Sequence, residues 1–240
     1  MPEEFALGLN EVDVAVRRTG LPASWHPFEI LSAGHTIEEH NRIASSAWES
    51  MRSRGLAGPD KLDIEVEQTL RSWTQPEVLI IIRAAEIADG RQVLYRATIG
   101  HGLGVYSELV SDGINFVQIR PDHLVDSLVG ILPRYGPVPL PQVTITQRAG
   151  QAPSTRDRDA LAPFATWAPH RHGTFELSTR HGQGNLRPAG TATFLDSDGG
   201  RYLTFTENLP GNETRLRFIP SDGGHLRAWL HERIAETTGR

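Results

Sequence analysis

Cysteine is absent from the 240 residues. That one absence removes disulfides, thiolate zinc sites, iron–sulfur clusters and thiol catalysis together. Basic charge is scarce as well, with 24 Lys and Arg against 29 Asp and Glu, a formal net charge of −5 and a pI near 6.1. Such a balance gives no positive field to hold a phosphate backbone, which argues against nucleic-acid binding. Long apolar runs are missing too. The run Val78-Leu79-Ile80-Ile81-Ile82 is far short of a membrane helix, so no membrane insertion is expected. Met1-Pro2-Glu3-Glu4 is acidic where a secretory leader needs positive charge, and the expected location is the cytoplasm. At 38% apolar and 22% charged residues, the chain fits a soluble globular protein with one sizeable core or two small ones.

Catalytic signatures are lacking. No Gly-x-Ser-x-Gly elbow and no Walker sequence occurs. Gly100-His101-Gly102-Leu103-Gly104 follows a strand, but a strand follows it where a phosphate loop needs a helix. Asp196-Ser197-Asp198-Gly199 opens like a calcium loop, yet the third oxygen ligand and the distal glutamate are missing, so it reads as a β-turn. His170-Arg171-His172 places two imidazoles on one strand face without a carboxylate at fixed spacing. His35 and His40 stand five apart, whereas one helical face needs four. Asn212-Glu213-Thr214 is a glycosylation sequon without relevance in the cytosol. The expectation is no metal, no cofactor and no enzyme.

What the chain does have is a stretch from Glu77 to Leu132 with a regular plan. Val78–Ile82 reads as a buried strand, Asp89-Gly90 as a tight primed turn, and Val93–Ile99, Leu103–Val110 and Ile114–Arg120 as three more strands. Pro121-Asp122 then opens a helix carrying Leu124, Leu128, Ile131 and Leu132 on one face. The plan recurs. His172–Thr179, Arg187–Leu195, Arg201–Glu207 and Thr214–Ile219 are four further strands, with a turn at Asp196–Gly200. Pro220 ends the last of them, and Ser221 is placed to cap a helix striped with Leu226, Trp229, Leu230 and Ile234. This reads as an internal duplication, α+β in class, with antiparallel meander-plus-helix halves over about 5–132 and 156–237 of a single domain spanning 1–240.

Ahead of the first meander, Phe5–Leu9 reads as a short strand, and Asn10 as the cap of a helix with Val12, Ala15 and Val16 inward and Gly20 at its end. Leu21–Gly34 is irregular. Thr36 and Glu39 form a capping box for a helix to Arg54, with Ile43, Ala44, Ala47, Trp48 and Met51 inward and Gly55 as its stop. Asp63–Trp73 presents Val66, Leu70 and Trp73 at helical spacing, although Leu62, Ile64 and Val66 also alternate as in a strand. Between the halves, prolines break up 133–169. Val143–Thr146 is an edge-strand candidate, Arg156–Trp167 a helix candidate, and Gln147–Thr155 the expected mobile loop.

This order of features resembles the EspG proteins of type VII (ESX) secretion systems over nearly the whole chain. The resemblance is carried by Met51-Arg52-Ser53-Arg54-Gly55-Leu56 closing its helix, by Ile119-Arg120-Pro121-Asp122-His123-Leu124, and by Thr193-Phe194-Leu195-Asp196-Ser197-Asp198-Gly199-Gly200-Arg201-Tyr202. Phe194 stands where the family often has tryptophan. The resemblance implies an antiparallel sheet with helical subdomains and an internal quasi-two-fold. It also implies a cytosolic chaperone, monomeric or weakly dimeric, that holds the apolar helical tip of the PPE subunit of a PE–PPE heterodimer until export. The reading set against it is a hydrolase or isomerase using His170, His172 or Asp198 in a cleft between the halves. For the partner surface, the second half offers Phe175, Phe194, Phe205, Leu226 and Trp229, residues more often core than contact, together with the loops at Gly90 and His101.

Overall fold

The computed structural model describes residues 3–31, 34, 36–148, 151–180, 182 and 184–238. It is α+β, built from antiparallel strands and helices that group into two compact units. The first holds Met1–Ile80, Leu94–Leu124 and Gly182–Leu186; the second holds Ile81–Val93, Val125–His181 and Arg187–Arg240. β2 (Val78–Glu86) passes from one to the other.

In the first unit the strands run in the order β1 (Glu4–Gly8), β5 (Gly113–Ile119), β4 (Leu103–Val110), β3 (Gln92–Gly100) and β2. Phe5, Val105, Ile114 and Phe116 point to one side and meet α1 (Leu9–Arg18), α2 (Ile37–Ser53) and α3 (Ile64–Thr74) in a single core. Trp73 of α3 is its centre. Its ring stands edge-on to Phe116 at 5.2 Å, and its Nε1 donates to Ser107 Oγ at 2.9 Å. That bond satisfies the one polar atom of a side chain that would otherwise lose it to burial.

Helix ends explain the local boundaries. Thr36 Oγ1 accepts from Glu39 N at 3.1 Å, as the capping pattern predicts. Asp63 caps α3 through Glu65 N at 2.9 Å, which settles that segment as helix. Gly20 and Gly55, at φ +66° and +75°, follow α1 and α2. The cap of α1, however, is Gly8 and not Asn10, because the Glu11 carboxylate reaches back to accept Gly8 N at 2.8 Å. His35 lies outside the described residues.

In the second unit the order is β2, β7 (Pro169–Arg180), β8 (Leu186–Ser197), β9 (Gly200–Leu209), β10 (Glu213–Pro220) and β6 (Val143–Arg148), which is an edge strand as expected. Phe175 and Phe194 meet edge-on at 6.1 Å, and Phe205 packs under Trp229 of α6 (Gly224–Thr238). Phe164, in a 3-10 turn after α5 (Thr155–Leu161), packs against Tyr202 and Phe218 at 5.1 and 5.7 Å. The expected helix over 156–167 therefore splits in two at Pro163, which has no N–H to continue it. Of the expected loop, Gln147 and Arg148 end β6, Thr155 begins α5, and 149–150 lie outside the described residues.

Two turn expectations need correction. The β2–β3 connection spans residues 87–91, longer than a two-residue primed turn. Only Gly90 takes a positive φ (+68°), while Asp89 uses Oδ1 to accept Arg91 N at 2.9 Å. Ser221 does not cap α6 directly. Gly223 N donates to its hydroxyl at 3.1 Å, and Gly223 O accepts Arg227 N, so the helix starts two residues later than the serine would place it.

Candidate partner-binding surfaces

Four of the aromatic and aliphatic residues expected at a partner surface are buried. Phe175, Phe194 and Leu226 are 1%, 1% and 0% exposed, and Phe205 is 7% exposed. Alternation puts all three phenylalanines on the sheet face that α6 covers, so they support that helix and offer nothing to a partner directly. Trp229 is different. It is half-buried, sits at 5.5 Å from Phe205, and lines a cavity of about 330 Å³ with Pro188, Ala189, Gly190, Glu207 and Arg233. Gly190 makes room for it at φ +153°, since a Cβ there would stand 2.9 Å from Trp229 Cζ2. Gly90 is exposed in the β2–β3 connection, beside Ile87 at 45% exposure. In the first unit His101 is exposed at φ +53°, in the turn joining β3 to β4.

A surface not singled out from the sequence lies in the first unit. Registers set Tyr95 beside Glu108, Ala97 beside Tyr106 and Tyr106 beside Val117, and Ile99 beside Gly104 and Gly104 beside Ile119, all on the sheet face opposite the core. Tyr95, Ile99, Tyr106, Val117 and Ile119 are half-exposed there, and none belongs to the unit's core. The two tyrosine rings lie 5.5 Å apart, and the Tyr106 hydroxyl donates to Glu108 Oε2 at 3.1 Å. Burial, the Glu108 carboxylate and Tyr95 push the Tyr106 phenol well above the ordinary tyrosine range. The patch is an apolar platform with hydroxyls and a carboxylate at its rim, the mixture that interface cores favour. The signal was in β3 and β4: both phases of their alternation carry large side chains, where a one-sided sheet shows polar residues on one phase.

The histidine–aspartate reading finds part of its geometry within the second unit. His170 Nε2 lies 2.7 Å from Asp198 Oδ1, beside a largely polar cavity of about 410 Å³ shared with Arg134 and Ser197. His172 is exposed two residues along β7. Asp198 N also donates to Ala168 O at 3.2 Å, so the pair clasps the start of β7 to the β8–β9 turn. Ser197 is buried and donates its hydroxyl to Gly200 O, which leaves it unprepared as a nucleophile. Among the described residues no three His, Asp or Glu side chains gather to hold a metal, and no helix is long and apolar enough to cross a membrane.

Comparison with known proteins fits this architecture. The model of the EspG family matches residues 9–232. The chain belongs to the EspG family. Among solved structures, the fold matches the type VII secretion system chaperone EspG5 of Mycobacterium tuberculosis, determined in complex with the PE25–PPE41 dimer. The TM-score is 0.66 at 10% identity, over 97% of this chain and 96% of that one. An alignment of 150 positions that covers 57% of this EspG-family chain is also 27% identical to phosphoribosylformylglycinamidine synthase subunit PurL of Nocardioides sp. (strain ATCC BAA-499 / JS614). It spans only 19% of that protein's length.

Proposed function

We propose that this EspG-family protein is a cytosolic, non-enzymatic chaperone of a type VII secretion system. It holds the apolar helical tip of the PPE subunit of a PE–PPE heterodimer before export. The observation that carries the reading is the family match over 9–232, joined to a fold shared end to end with a chaperone solved on such a dimer. The half-exposed platform around Tyr95 and Tyr106, and the Trp229 cavity, supply apolar ground of the kind an amphipathic helical tip needs. Within the second unit the buried residues Phe175, Phe194, Phe205 and Leu226 act as supports for Trp229, and the exposed loops at Gly90 and His101 are separate contact candidates, each in its own unit.

The same reading takes the chain as internally duplicated, with halves near 5–132 and 156–237. In support, each meander ends at a proline, Pro121 or Pro220, and is followed by a helix. α4 (Leu124–Ile131) and α6 also touch, through Asp126 and Arg227 at 2.6 Å and through Val129 beside Gly223. An experimental structure in which 78–131 does not superpose on 169–238 would overturn the duplication.

The test of function is co-expression with PE–PPE pairs from the same genome. The expected outcome is a stable ternary complex of one copy each, isolated by size exclusion. A folded protein that retains none of the pairs would overturn the proposal.

A further inference from the structure

The core face of β3 carries two polar residues, Arg96 and Thr98, both fully buried and set by register against Ser107 and Val105 of β4. The Arg96 guanidinium lies 5.0 Å from the centre of the Trp73 ring. Its Nη2 donates to Trp73 O at 2.6 Å, and its Nη1 donates to His26 O. Two groups are left over, since neither Arg96 Nε nor Thr98 Oγ1 has a hydrogen-bond partner. The Ser107 hydroxyl alongside is already committed, accepting from Trp73 Nε1 and donating to Arg96 O. Among the described residues no carboxylate pairs with Arg96, and burial alone pulls its guanidinium down to about 9. The carboxyl end of α3, where Trp73 O lies, supplies roughly half a negative charge. The rest of the cation is unmatched in a medium of low dielectric, where buried charges are otherwise paired.

We propose that Arg96 Nε and the Thr98 hydroxyl bind a monatomic anion of the halide class inside the first unit. The strand sets the two residues on one face about 6.6 Å apart, a span that a single ion between the side chains bridges. Both leftover groups can donate a hydrogen bond, and the net charge around them is positive. An anion answers both conditions, whereas a neutral water answers only the first. The bound ion completes the link that Arg96 makes from β3 to the carboxyl end of α3 and, through His26 O, to the segment before α2. It lies on the core side of the sheet, away from the tyrosine platform, and so acts on stability and not on partner contact.

Thermal melts in sodium chloride or bromide, set against sodium gluconate at equal ionic strength, read the site. The expected result is a melting temperature that climbs with halide concentration beyond the gluconate control, as binding to the native state requires. Thr98→Val keeps the side chain's shape and removes one donor, so the apparent dissociation constant for halide should rise about tenfold or more. Crystals soaked in bromide should show an anomalous peak within hydrogen-bond reach of Arg96 Nε and Thr98 Oγ1. A melt indifferent to halide, a halide response unchanged in Thr98→Val, or an ordered water without bromide at that position would each overturn the proposal.

Discussion

Arg201 and Asp196 form a fully buried bidentate pair in the second unit, with Nε at 2.5 Å from Oδ1 and Nη2 at 2.9 Å from Oδ2. The same Nη2 donates to Pro133 O at 2.8 Å, and the Arg201 backbone bonds Gly136 and Val138. One residue thus pins the proline-rich connection after α4 onto β9. Replacing either partner alone leaves a buried charge without its counter-charge, at a cost of about 3–5 kcal/mol. Urea melts of Asp196→Ala and Arg201→Ala should show that loss, and the double variant should lose clearly less than the sum. Additive losses would mean the two groups are not coupled.

Alkaline pH offers a second test. Burial raises the Tyr202 phenol, and burial with Glu108 raises Tyr106 further. The folded chain therefore keeps protons that the unfolded chain releases near pH 10, the ordinary tyrosine value. Stability is whole below that pH and falls as pH rises past about 10. Urea midpoints from pH 8 to 11 should trace the decline, and Tyr106→Phe with Tyr202→Phe should flatten it. A wild-type midpoint that stays level over that range would contradict the assignment.

The two candidate surfaces separate by substitution. Val117→Lys tests the tyrosine platform and Trp229→Lys tests the α6 cavity. Whichever surface anchors the partner should lose about 2 kcal/mol or more of binding to a PE–PPE pair, while the other variant binds as wild type. Titration calorimetry beside a melt of each variant keeps a folding defect from passing as a binding one. Full binding by both variants would place the contact elsewhere.

Gly190 gives a local check on the cavity. Its φ is +153°, and an added Cβ would stand 2.9 Å from Trp229 Cζ2, so Gly190→Ala must both strain the backbone and push the indole away. The expected cost is about 1–3 kcal/mol, with a shifted tryptophan fluorescence. An unshifted spectrum would show that the ring does not rest on Gly190.

At β1, Arg54 and Glu11 meet at 2.5 Å and together cover the sheet edge. Glu11→Ala removes both the cap of α1 and the plug, so it should cost about 0.5–2 kcal/mol and raise light scattering at high concentration. Arg54→Ala should raise scattering with a smaller stability loss. Variants as soluble as wild type would show that the plug is dispensable.

The order and type of the elements were legible in the chain before any folding. Strand runs such as Leu103–Val110, the Thr36–Glu39 capping pattern and the Val66-Leu70-Trp73 stripe are local signals, because period, capping and turn chemistry act over a few residues. So was what the protein lacks, since no fold supplies a thiol that the chain does not carry. Which apolar residues are core and which are surface emerged only on folding. Phe205 and Trp229 read alike in the sequence, yet one lies under the other, because burial depends on strands and helices brought together from far along the chain. The tyrosine platform depends on the same long-range pairing: Ala97 meets Tyr106, and Tyr106 meets Val117, only through sheet register. Register likewise makes β1 and β6 the sheet edges, and the fold brings Arg54 and Glu11 to the backbone of β1. Which backbone groups remain free is settled by the neighbour a strand receives, and no strand carries that in its own residues.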